Sequence, residues 1–223
     1  MAQQTTEAPA REQRLTMTYD EFLALDDHVH AEWVDGEVTI FVPPSELHQD
    51  IVLFLAVLVG GFARRLGLGK VMIAPFEMRL IPGRSSREPD LLYIAREHRD
   101  RMTGKRLEGP ADLVVEVISD TSATRDRREK FAEYQRIGVP EYWVVDACPG
   151  RFGTEFFRLT AAGTYERIEP DTDGRFHAAA LPGFWLRPDW LWQNPMPDPI
   201  ELLEEIAPRV TPERRQPANG QAS

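Results

Sequence analysis

The apolar positions of this chain change period as it runs. Around Thr18 the spacing is helical: Thr18 followed three residues later by Glu21 has the form of a capping box, with Phe22, Leu23 and Leu25 as the inward face of a short helix. From Ala31 to Val42 the pattern becomes two β-rich runs joined through Asp35-Gly36, a hairpin signal because the tightest hairpin turns need a left-handed backbone. Ser45 is then placed to cap a long helix reaching about Leu66. Its Leu53, Leu55, Ala56, Leu58, Val59 and Phe62 make it apolar around most of its surface, so it must pack on a sheet. Gly67 and Gly69 end it, residues 70–74 and 76–81 read as strands, and residues 82–86 read as a flexible turn before a strand entered through Pro89-Asp90.

Residues 95–110 are polar with a small positive excess, as a loop or short helix. Leu113 to Ile118 is a continuous apolar run interrupted by Glu116, the mark of a strand buried on both faces. Ser122 can cap a helix over 123–137, Gly138-Val139-Pro140 stops it, and 141–146 is the next strand; strand, helix, strand predicts a right-handed crossover and a partly parallel sheet. Short strands at 155–159, 164–168 and 175–178 form a C-terminal β-meander that extends or covers the sheet edge. Phe184, Trp185, Trp190 and Trp192 follow; such rings can stack bases, but near the end of a domain they more often cap the core. A last helix spans 200–206. The pattern therefore predicts an α/β fold with a central mixed β-sheet flanked by α-helices. One domain over 16–206 is expected, between polar tails at 1–15 and 207–223 that lack a periodic apolar face.

Composition narrows this picture. With 223 residues, 42% of them hydrophobic, the chain can bury one sizeable core and is short for two full domains. The longest apolar run, 51–62, is about half of a membrane span, and no signal segment opens the chain, so a cytoplasmic protein without a membrane partner is expected. The lone cysteine, Cys148, excludes an intramolecular disulfide and a cysteine zinc cluster. The formal charge of −10 is the wrong sign for binding nucleic acid by bulk attraction; a local arginine cluster, or divalent cations bound by carboxylates, would have to offset it.

Four residues, with His48 beside them, carry the candidate chemistry. Glu116 interrupts an apolar strand, and a carboxylate there needs a partner, a proton or a metal; a strand-end cap or an arginine pair would also satisfy it. Asp90 alone reads as an ordinary Pro-Asp turn. Together, two carboxylates at the ends of adjacent strands can bind magnesium or manganese through oxygen, leaving room for water and a phosphate. Lys130 lies on the helix after the Glu116 strand and shares a face with Arg127, Tyr134 and Ile137; it would stabilise developing negative charge, unless it merely snorkels or pairs with Asp126. Glu32 and His48 are candidates for an outer carboxylate and a polar or proton-handling group, and each could be structural. His48 has no second histidine at metal-ligand spacing, so it is not assigned as a ligand.

The order of Thr18-Tyr19-Asp20-Glu21-Phe22, Glu32-Trp33-Val34-Asp35-Gly36-Glu37, His48, Ala74-Pro75-Phe76, Pro89-Asp90, Val115-Glu116-Val117-Ile118-Ser119, Asp126-Arg127-Arg128-Glu129-Lys130 and Gly138-Val139-Pro140-Glu141-Tyr142-Trp143-Val144-Val145-Asp146 resembles the Uma family of restriction endonucleases, within the PD-(D/E)XK nuclease superfamily. The resemblance covers roughly 16–191 and implies a restriction-endonuclease-like fold and a magnesium- or manganese-dependent endonuclease acting on DNA. Asp90 then corresponds to the metal-binding aspartate and Glu116 to the acidic residue of the (D/E)XK half-motif. Glu32 corresponds to an additional acidic residue. Two residues after Glu116 stands Ile118 instead of lysine, and the family's displacement of that lysine to the following helix is matched by Lys130. A homodimer would suit cleavage of both strands, although no residue announces one. The alternative is a catalytically degenerate nuclease fold acting as a DNA-binding or protein-interaction module.

Overall fold

The computed structural model describes residues 12–25, 31–41, 44–81, 85–118, 123–148, 150 and 152–208, with backbone alone at 12–14, 40–41 and 123–127. Strand β1 (Glu12–Thr16) leads to helix α1 (Tyr19–Leu23), the hairpin β2 (Ala31–Val34) and β3 (Glu37–Phe41), and the long helix α2 (Glu46–Leu66). Then come β4 (Gly69–Ile73), β5 (Glu77–Ile81), β6 (Ser85–Arg87), β7 (Leu91–Ala95), a 3-10 turn (Arg96–Arg101) and β8 (Arg106–Glu108). Strand β9 (Leu113–Ile118), helix α3 (Ala123–Ile137) and β10 (Glu141–Asp146) form the crossover unit. The chain ends with β11 (Gly153–Leu159), β12 (Tyr165–Ile168), the short pair β13 (Phe176–His177) and β14 (Trp185–Leu186), a second 3-10 turn (Pro188–Trp192) and α4 (Pro199–Ile206).

Where one central sheet is expected, the fold has two six-stranded mixed sheets. One runs β1-β3-β2-β6-β5-β8 and the other β12-β11-β10-β9-β7-β4, with β9 and β10 parallel as the crossover requires. The second sheet is sandwiched between helices, and the pleat decides what each face meets. Leu113, Val115 and Val117 of β9 pack with α2, whereas Val114 and Ile118 pack in the cluster that contains Tyr134 of α3. Buried on both faces, the strand reads as an unbroken apolar run, and Glu116 lies on the α3 side by parity alone. The aromatic cluster caps the α2 face, with Phe184 edge-on to Phe62 and Trp190 buried; this is the core role.

The local signals mostly act where they were read. Thr18 and Glu21 make the reciprocal capping box, Asp35 and Gly36 turn the hairpin with φ of 48° and 90°, Ser45 caps α2, and Gly67 closes it in the left-handed region at φ 66°. Length and mean hydropathy (21 residues, 1.5) would suffice for α2 to cross a membrane, yet half of that window is buried in this fold, as in a core helix. Leu23 and Leu53 are exposed, so the inward faces of α1 and α2 are narrower than their leucines imply. Strand β1 begins at Glu12, inside the stretch read as a tail, because antiparallel pairing with β3 supplies order that a polar composition does not advertise. Ser85 to Arg87 form a buried strand instead of a flexible turn. Residues 82–84 of that turn, the Ser122 cap, the Asp126 and Arg127 side chains, most of the N-terminal tail and nearly all of the C-terminal one lie outside the described residues.

Candidate active site

Glu116 is placed by strand parity, and its partners by helix spacing. Lys130 and Tyr134, four residues apart on α3, project from one face and take one carboxylate oxygen each: the ammonium is 3.1 Å from Oε2 and the phenol donates to Oε1 at 2.7 Å. The antiparallel register of β7 with β9 sets Leu91 opposite Val115, so continuing it sets Asp90 opposite Glu116. There Asp90 replaces a ladder partner, its Oδ2 accepting from the Val117 N–H at 2.7 Å, while Oδ1 lies 3.2 Å from His48 Nε2 at the start of α2.

Glu32 arrives from the other sheet. Its neighbours Ala31 and Trp33 pack with Val38 under α1, so alternation turns Glu32 to the opposite face of β2. Its Oε1 is 3.2 Å from Lys130 Nζ and accepts from the Glu88 N–H at 3.2 Å; its Oε2 accepts from Arg87 at 2.8 Å. All four expected residues are thus brought together, joined by His48, Tyr134 and Arg87. Sequence reading missed Arg87. No local sequence signal marks it; the β2–β6 register, Trp33 opposite Ser86, when continued places Arg87 opposite Glu32.

The buried charges compete, and the two glutamates beside Lys130 divide. Burial alone would raise Glu32, but the Lys130 and Arg87 cations outweigh it and hold the carboxyl down, so it is ionised. Burial pushes Glu116 up, with the charges of Asp90 and Glu32 adding and Lys130 opposing. Burial also pushes Glu88 up, to about 8, reinforced by Glu32. Arg87 stays firmly protonated because Glu32 and Glu133 outweigh its desolvation. Negative charge crowded around Glu116 is what a divalent cation relieves. Among the described residues no three His, Cys, Asp or Glu side chains form a ready-made metal site. Magnesium, however, is commonly held by one or two carboxylates, with water and substrate phosphate completing its shell, and the Asp90–Glu116 oxygen set fits that pattern.

Residues 19–189 match the model of the Uma2 family, described as "Putative restriction endonuclease". The chain belongs to the Uma2 family. Among solved structures this Uma2 protein is similar to a "putative nuclease belonging to DUF820" from Anabaena variabilis, with a TM-score of 0.63 and 16% identity over 79% of this chain and 97% of that one. At that identity the likeness establishes a shared fold. No curated protein matches. The family description supports a nuclease function for this Uma2 chain and implies a nucleic-acid substrate. A cavity of about 670 Å³ lies elsewhere, between the start of α2 and residues 191–199, lined by Leu47, Phe54, Phe152 and Trp192 among others. It contains none of the converging groups, whereas at Glu116 a carboxylate is buried at evident cost, which marks that cluster as the candidate site.

Proposed function

We propose that this Uma2 protein is a divalent-metal-dependent endonuclease hydrolysing DNA phosphodiester bonds. Asp90 and Glu116 would hold the cation, magnesium or manganese, Lys130 would stabilise negative charge developing on the phosphate, and Glu32 would serve as the auxiliary acidic residue, an ionised carboxylate beside the lysine. The observation that carries the reading is the meeting of Lys130 and Glu116 at 3.1 Å inside the fold, with the Asp90 carboxylate bonded to the next residue along β9. When bound, the cation would supply Lewis-acid polarisation of the phosphoryl oxygen and a more acidic water.

The protein's own contribution is preorganisation. The Val117 N–H and His48 orient Asp90, Tyr134 and Lys130 orient Glu116, and the ammonium sits in a poorly hydrated place where its field is strong. Asp90→Ala and Glu116→Ala are expected to abolish magnesium-dependent cleavage of plasmid DNA while circular dichroism stays native. Lys130→Ala is expected to lower kcat by about 10²- to 10³-fold, as for loss of one transition-state donor. Undiminished cleavage in any of these three variants would sink the assignment.

The second reading, a catalytically silent nuclease fold that binds DNA or a protein, is favoured by one observation: both Glu116 oxygens already have protein partners, and no three-ligand cluster is present among the described residues. Calorimetry separates the two. Magnesium or manganese heat that vanishes in Glu116→Gln supports the enzyme; absence of heat supports the silent fold.

A further inference from the structure

The nuclease-type motifs leave unexplained a second ring of charge behind the site. Arg87 is 7% exposed, a costly position for a guanidinium unless both ends of its fork are matched. They are matched from two elements: NH1 donates to Glu32 of β2 at 2.8 Å, and Nε donates to Glu133 of α3 at 2.8 Å. The other oxygen of Glu133 accepts from the Ser85 hydroxyl, two residues before Arg87 on β6. Beyond Glu32 the chain of contacts continues to Lys130 and the Glu116 carboxyl, so acidic and basic side chains alternate from Glu133 through Arg87, Glu32 and Lys130 to Glu116 across two sheets and a helix.

A lysine ammonium rides on a flexible four-carbon stem, and one carboxylate partner would leave it free to swing about that partner. Two partners on different elements fix it by triangulation. Glu116 is one, and Glu32 is the other, but Glu32 can hold a position only if its own carboxylate is held. Its Oε2 is committed to Arg87 and its Oε1 is shared by Lys130 and the Glu88 N–H. The planar, rigid guanidinium is suited to this task, since one fork can engage two carboxylates at once.

We propose that Arg87 is a positioning residue that immobilises Glu32 and, through it, the Lys130 ammonium against Glu116. Glu32 then acts from behind the lysine, with no need to touch substrate or metal. The kinetic consequence rests on the nuclease reading above; the placement of the amine does not.

The test reads the amine directly in the full chain. A buried, ion-paired ammonium exchanges its protons slowly enough to give a resolved 1H–15N signal, whereas solvent-exposed lysines do not; Lys130→Arg assigns the signal by its loss. In Arg87→Lys, which keeps the charge but cannot span Glu32 and Glu133, the Lys130 ammonium should exchange faster, its 1H–15N signal broadening or being lost as for a surface lysine. Glu133→Gln, which loosens the guanidinium from the other side and spares Arg87, should move it in the same direction by less. Magnesium-dependent cleavage by Arg87→Lys should fall in kcat with KM unchanged. Exchange at the parent rate in folded Arg87→Lys and Glu133→Gln overturns the proposal, and so does a parent Lys130 that exchanges like a surface lysine. Cleavage indifferent to Lys130→Ala would remove the nuclease reading instead, and the exchange measurement would still decide the role of Arg87.

Discussion

Far from the site, the Glu141 carboxyl is 1% exposed and accepts from the Trp143 indole at 2.8 Å and from the Ala180 N–H at 2.7 Å. Burial raises its pKa above the ordinary 4.5, and the two donors do not fully compensate. A carboxyl whose folded pKa is raised contributes its stability below the unfolded value and loses it as pH rises through the folded one. Glu141→Gln removes that dependence and turns an amide N–H₂ toward a donor, at a cost of about 1–3 kcal/mol. The gap between parent and variant, from urea unfolding, should be wider near pH 5, about half a unit above the unfolded value, than near pH 8. Residues such as Glu116 and Lys130 were legible because one period places each: parity in a buried strand and spacing on a helix. Arg87 was not, because Ser85-Ser86-Arg87 has no apolar alternation and its importance lies wholly in partners 55 and 46 residues away.

The same contrast holds among the elements. Helices α2 and α3 carry their own period, and α2 its Ser45 and Gly67 caps, so their bounds could be read closely. Strands β1, β6 and β8 have three to five residues each and exist through pairing with partners that local sequence does not name. The sheet that holds β1, β6 and β8 went unseen as a separate sheet for that reason, while the β9–α3–β10 crossover did not. The corner between α2 and β4 shows how tight the element junctions are. A Cβ at Gly69 would stand 2.2 Å from the Ile94 carbonyl and 2.8 Å from the Tyr93 ring, at the point where β4 pairs with β7. Gly69→Ala must push backbone apart, so it should destabilise by about 3 kcal/mol, at the upper end of overpacking costs, read as a lower urea midpoint with unchanged slope.

At the scale of the molecule the two sheets are unequally secured. The second has helices on both faces and contributes to two large clusters, whereas β1 to β3 rest on a small cluster built from Ala31, Trp33 and Val38. Native-state hydrogen exchange should therefore find β2 and β3 opening at lower free energy than β7, β9 and β10. Because Glu32 rides on β2, such an opening would take the site apart while the main core stays folded. A last consequence follows from Lys130 being mounted on α3. A lysine on β9 would be indexed by the ladder, and only a register slip could misplace it. One on a helix is indexed by rotation, with about 100° separating successive residues. The seating of Phe131 and Tyr134 against Tyr142 thus works as the detent of a dial: it selects which α3 side chain faces the two carboxylates, while their own strands never move.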